Sequence, residues 1–102
     1  MSDIHPIYIS KNFSLDELIY SETAERKGLN NLPEQAELDN LIYLCEFILQ
    51  PLRDDIGPVY ITSGFRSLEL NKSIGGVDNS LHAQGLAVDI HCDKLDNMEL
   101  AQ

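Results

Sequence analysis

Apolar residues recur at three- and four-residue spacing through the middle of the chain, at Leu38, Leu41, Ile42, Cys45, Ile48, Leu49 and Leu52. That is the period of a single helix face turned toward a core. It predicts the longest helix of the chain, opened by Pro33, with the stripe serving as packing surface and not as a cofactor box. Pro51 falls inside the pattern. It lacks an amide donor and its ring crowds the preceding turn, so the helix is expected to kink or end there.

Upstream, Ser14-Leu15-Asp16-Glu17 has the Ser-x-x-Glu form in which two side chains satisfy the free amides of a helix start. A short helix from Leu15 to about Tyr20 follows. Ser21 caps a second helix, which Gly28 ends in a left-handed conformation. Downstream the period changes. Gly57-Pro58 reads as a turn, and Val59-Tyr60-Ile61-Thr62 reads as a strand rich in branched and aromatic residues. Ser67 to Ser73 forms a helical turn closed by Gly75-Gly76, with a polar loop from there to Gly85. Leu86 to His91 is a second strand. Asp96-Asn97-Met98-Glu99 resembles another capping box, so a further helix is expected to begin there. Helical and extended periods mixed in this way predict one α+β domain over residues 1–102, with helices packed on one face of a small antiparallel sheet. That sheet is expected to be incomplete toward the C-terminus, and its open edge suits pairing with a second copy of the chain.

A chain of 102 residues supports one core and not two. Seventeen acidic against seven basic residues give a formal charge of -10, which repels phosphate backbones and argues against a nucleic-acid partner. The start, MSDIHPIYISKNF, has no basic region followed by an apolar stretch. No secretory signal is therefore read there, and synthesis in the cytoplasm is expected. No apolar run approaches the roughly 20 residues needed to span a bilayer. Cys45 and Cys92 are far apart and outside any CxxC pattern, so neither a disulfide framework nor a thiolate metal cluster is expected. Cys45, among Leu41, Ile42, Leu44 and Ile48, is read as a small buried hydrophobe. His5 is read as solvated.

The stretch Ser80-Leu81-His82-Ala83-Gln84-Gly85-Leu86-Ala87-Val88-Asp89 carries the chemistry. Imidazole and carboxylate are both ligands for first-row metals. Gly85 allows a tight turn between His82 and the strand bearing Asp89. Ala87 shares a strand face with Asp89 and leaves room beside it. Spacing alone leaves two readings open: a metal site, or a loop histidine followed by a surface aspartate.

Ser80-x-His82-x-x-Gly85-x-Ala87-x-Asp89 resembles the signature of the zinc D-alanyl-D-alanine carboxypeptidase and dipeptidase family, which includes phage endolysins that cut the L-alanyl-D-glutamate bond of peptidoglycan. Ile61-Thr62-Ser63-Gly64-Phe65-Arg66-Ser67 with Asn71 is similar to the strand, Ser-Gly-Tyr-Arg turn and downstream Asn of the same family. Phe13 to Ser21, Gly28-Leu29-Asn30-Asn31-Leu32-Pro33 and Pro51-Leu52-Arg53 resemble a small phage-type branch.

The resemblance implies a Hedgehog/D,D-peptidase-like fold and a zinc cofactor held by His82 and Asp89. It also implies a peptidoglycan peptide as substrate, with the cell wall as the place of action. Arg66 would hold the substrate or steady the oxyanion. Ser80 would shape the loop beside the substrate, Ser63 and Gly64 would position Arg66, and Asn71 would stabilise a turn. The family completes its zinc site with a second histidine in a Trp-x-His-like segment and places an acid upstream as general base. This chain has no tryptophan, and neither group has a counterpart. His91, two residues after Asp89 on one strand face, is the in-strand substitute for the third ligand. The expectation is a zinc peptidase domain with little hydrolysis of its own. The alternative is a non-catalytic binding or structural module that keeps the fold and a vestigial metal site.

Overall fold

The computed structural model describes residues 7–76, 80–93 and 95–101. His5 and part of the loop before Gly85 lie outside the described residues. The chain opens with a small hairpin, β1 (Tyr8–Ser10) and β2 (Phe13–Ser14), then α1 (Leu15–Ile19), α2 (Glu22–Lys27) and α3 (Gln35–Leu44). A π-helical turn (Cys45–Leu49) joins α3 to α4 (Gln50–Ile56). After β3 (Tyr60–Ser63) and α5 (Leu68–Ser73) comes a 3₁₀ turn (His82–Gln84), followed by β4 (Ala87–Cys92) and β5 (Leu95–Ala101). The architecture is the expected α+β arrangement of helices and small antiparallel sheets. No helix among the described residues is long and apolar enough to cross a membrane.

The local signals act as their chemistry dictates. Ser14 Oγ accepts from the Glu17 amide at 3.3 Å, and the Glu17 carboxylate accepts from the Ser14 amide at 2.9 Å, closing the capping box of α1. Ser21 Oγ accepts from the Ala24 amide at 3.1 Å. Gly28 ends α2 at φ 67°, a conformation that costs glycine nothing.

Of the two outcomes expected at Pro51, an end to the helix does not occur: the helical stretch runs on through the proline to Ile56. The reason lies one turn earlier, where the Gln50 amide donates to the Cys45 carbonyl, five residues back. A turn closed at that spacing is wider than an α-turn and gives the proline ring room where a regular helix would clash. Leu41, Leu44, Cys45 and Leu49 are all fully buried along this stretch. Gln50 also pins the N-terminal hairpin, accepting from Ser10 Oγ at 2.7 Å and the Asn12 amide at 2.9 Å, and donating to Asn12 Oδ1 at 2.8 Å.

The second sheet has the order β3-β4-β5, antiparallel throughout. Val88, Ile90 and Cys92 of β4 join Phe13, Leu18, Leu41, Leu44 and Phe65 in the core. By alternation Asp89 and His91 take the other face. The helix expected to start at Asp96 is instead strand β5. A single helical turn buries little and leaves its amides unpaired, whereas the β4 ladder supplies partners from Ala87↔Ala101 to Cys92↔Leu95. Leu100 packs on the core from this strand.

Two measurements test this packing. Leu44→Ala is expected to cost about 2–5 kcal/mol in chemical denaturation, the range for emptying a buried leucine site. Burial pushes the Cys45 thiol up, against a lowering hydrogen bond from Ser10. Because the thiolate is the reactive form, iodoacetamide should label Cys45 in the folded protein many times more slowly than in denaturant.

Candidate metal centre

His82 is carried on the 3₁₀ turn, and that turn is tied to the long helix from behind. Asn40 Nδ2 donates to the Gln84 carbonyl at 2.8 Å. Gly85 ends the turn at φ 74°, and a Cβ there would stand 2.5 Å from the Glu37 carbonyl oxygen of α3. Both its backbone conformation and the close approach require glycine. Asp89 lies at the middle of β4, the central strand, between Ser63 of β3 and Glu99 of β5.

These elements bring three side chains together. His82 Nε2 stands 3.0 Å from Glu99 Oε2 and 3.6 Å from Asp89 Oδ1, and the three ligand atoms all lie within 4.8 Å of one another. The imidazole is 4% exposed, Asp89 39% and Glu99 51%, so the nitrogen forms the floor of the site and the carboxylates its open side.

The other ring nitrogen decides what the site can hold. His82 Nδ1 is 2.9 Å from the Gly64 carbonyl oxygen. A carbonyl only accepts, so Nδ1 carries the proton, and in the neutral ring Nε2 presents a lone pair. That lone pair faces two carboxylates, which also only accept. Asp89 and Glu99 are moreover direct cross-strand partners, and like charges so placed repel. A cation at their centre resolves the conflict: a second ring proton, or a metal ion. Donors bound tetrahedrally at the usual zinc distances lie roughly 3.3 Å apart, and the 3.0 and 3.6 Å separations straddle that spacing. An imidazole that gives its remaining N–H to a backbone carbonyl is also the common outer arrangement of a metal-bound histidine. The residues fit a divalent ion.

The remaining predicted site residues surround this group. Gly64 supplies the carbonyl that orients His82. It approaches α1 so closely that a Cβ would overlap the Leu18 carbonyl oxygen, while Phe65 next to it donates its amide to that same oxygen at 2.7 Å. The Arg66 amide donates to the His82 carbonyl at 3.2 Å. The Arg66 side chain lines a cavity of about 320 Å³ with Tyr20, Ser21, Thr62 and Ser63, and its Nε is buried with no hydrogen-bond partner among the described residues. Ser80 is buried, and its carbonyl accepts from the Ala83 amide at 3.1 Å, closing the turn that carries His82. Asn71 is buried on α5. His91 is exposed and pairs across the sheet with Tyr60. It is not part of the three-residue group. Positions two apart on one strand are separated by about 6.6 Å, whereas direct cross-strand neighbours stand about 5 Å apart. Glu99 is thus the nearer companion of Asp89, and sequence reasoning missed it. The apolar alternation of Met98 and Leu100 around it was the available signal, outweighed by the Asp-x-x-Glu spacing of a helix start.

An α+β scaffold holding an imidazole and two carboxylates beside an arginine-lined cavity defines a class, the small metallohydrolase domain. Within that class the chain belongs to the Peptidase M15 family, whose sequence pattern matches residues 11–102. No curated protein matches the chain. The family is one of zinc peptidases, so the kinship read from the Ser80–Asp89 and Ile61–Ser67 motifs holds at family level.

Zinc titration checks the ligand set. His82→Ala is expected to abolish uptake at micromolar zinc, and Asp89→Asn or Glu99→Gln to weaken it about tenfold or more, the size typical when a ligand is lost. His91→Ala should stay within about twofold of wild type. In the wild-type protein, zinc at 100 times its Kd should stabilise the fold by about 2.7 kcal/mol.

Proposed function

We propose that this domain is a zinc-dependent peptidase domain for peptidoglycan stem peptides, of the D,D-carboxypeptidase or phage endolysin type. The observation that carries the reading is the convergence of His82, Asp89 and Glu99, tied through the Gly64 carbonyl and the Arg66 amide to a segment whose Arg66 Nε is buried without a partner among the described residues. Bound by His82, Asp89 and Glu99, zinc supplies Lewis acidity toward a peptide carbonyl and raises the acidity of water. The chain's own residues supply the rest. Gly64 fixes the ring of His82, so the lone pair of Nε2 keeps one direction. Arg66 offers a fixed, always-charged fork to a substrate carboxylate or to the anion developing at the scissile carbonyl. The cavity beside it, lined also by Tyr20, Ser21, Glu22, Thr62 and Ser63, has room for a small peptide terminus.

Glu99 is the available proton acceptor as well as a ligand, since a base must reach the water it activates. As a ligand its carboxylate would be committed to the ion, 3.0 Å from His82 Nε2. Binding is therefore expected to be stronger evidence than turnover, and hydrolysis to be slow.

Calorimetry with stem peptides ending in D-alanyl-D-alanine tests the reading, with an L-alanyl-L-alanine terminus as control. Zinc-dependent binding that prefers the D,D terminus, and that weakens about tenfold or more in Arg66→Ala, is expected. Mass spectrometry of the same mixtures reports which bond, if any, is cut. Binding that ignores zinc, or that is unchanged in Arg66→Ala, would refute it.

A further inference from the structure

The segment that carries Arg66 is irregular backbone between β3 and α5, yet its peptide groups are held as firmly as those of a strand. The clamp is the side-chain amide of Asn31, from the loop between α2 and α3. Its Nδ2 donates to the Phe65 carbonyl at 3.0 Å, and its Oδ1 accepts from the Ser67 amide at 2.6 Å. The two peptide groups that flank Arg66 are thereby fixed by one rigid, planar group. The same Nδ2 donates at 2.6 Å to the Ile19 carbonyl at the end of α1. Two carbonyls on one side and one N–H on the other admit a single orientation of the amide.

We propose that Asn31 is a positioning residue: it sets the direction of the Arg66 side chain toward the substrate and acts on the ligand only through that arginine. The inference rests on the reading of Arg66 as the substrate-binding group. Arg66 keeps a buried Nε–H without a partner among the described residues, an arrangement that costs free energy unless something else meets it. Holding that N–H in place requires the backbone on both sides of Arg66 to be fixed, and Asn31 does so. The ring of His82 and its turn have further anchors of their own, in the Gly64 carbonyl, Asn40 and the close approach to Glu37. Asn31 thus bears directly on the arginine, and on the metal group only through the single bond from the Arg66 amide to the His82 carbonyl.

Asn31→Asp is the sharpest variant. It keeps the acceptor for the Ser67 amide but turns a carboxylate toward the Ile19 and Phe65 carbonyls, so it retains size while reversing two of three bonds. Asn31→Ala removes all three. Gln50→Ala, which loosens the distant N-terminal hairpin, serves as a control for general loss of stability. Each protein is titrated with zinc and then with the D-alanyl-D-alanine peptide. In Asn31→Asp and Asn31→Ala, zinc affinity should stay within about twofold of wild type while peptide affinity falls about tenfold. In the Arg66→Ala background, the Asn31 changes should add nothing further. Peptide affinity that falls no more than in Gln50→Ala, that falls in step with zinc affinity, or that falls additively with Arg66→Ala overturns the proposal. A wild-type protein that takes zinc but binds no peptide defeats the functional reading and not this one. The clamp is then read from hydrogen exchange of the Arg66 Nε–H by NMR. Exchange slow in wild type and Gln50→Ala but fast in Asn31→Asp supports it, and equal exchange in all three refutes it.

Discussion

One hydrogen bond joins the two halves of the site: His82 Nδ1 to the Gly64 carbonyl at 2.9 Å. It fixes the tautomer of the ring, and so the direction of the lone pair on Nε2. It also ties the turn that bears the metal-facing nitrogen to the segment that bears the arginine. The Arg66 amide returns the connection, donating to the His82 carbonyl at 3.2 Å. The two motifs, 16 residues apart in sequence, are stitched into one frame by a pair of bonds running in opposite directions.

Close backbone approaches make that frame rigid. Gly64 sits against α1 where a side chain would strike the Leu18 carbonyl, and Gly85 sits against α3 where one would strike the Glu37 carbonyl. Both approaches place the site directly on helices whose other faces are anchored by fully buried Leu18, Leu41 and Leu44. The long helical stretch can serve as that anchor because its π-helical turn carries it past Pro51 without a break. Core packing and site geometry are therefore continuous: the helix that buries the leucine stripe also buttresses the turn under His82.

Electrostatics account for what the frame was built to accept. The protein is strongly acidic, and its sheet places two carboxylates directly opposite each other beside an imidazole lone pair. Like charges so placed repel, and a small cation between them relieves that repulsion. Arg66 brings a guanidinium to the neighbouring cavity, whose lining also includes the carboxylate-bearing Glu22.

The caps at Ser14, Ser21 and Gly28, the helical stripe, strands β3 and β4 and the pair His82 and Asp89 were all legible in the sequence. Each depends on neighbours within a few residues: a side chain reaching its own helix start, a period of 3.6 or of two, a glycine in a turn. Glu99 was not legible. Residues 96–99 satisfy the local rule for a helix start, and only pairing across the hairpin with β4, itself held in the sheet by β3, makes the extended form better. Nor was the role of Asn31, because its partners at Ile19, Phe65 and Ser67 come from separate elements. Short-range chemistry determined the parts, and the resemblance carried by the Ser80–Asp89 motif pointed to His82 and Asp89. Only the tertiary fold decided which second carboxylate joins them and what holds the arginine, because hydrogen bonds and charges act across distances in space that the order of residues does not record.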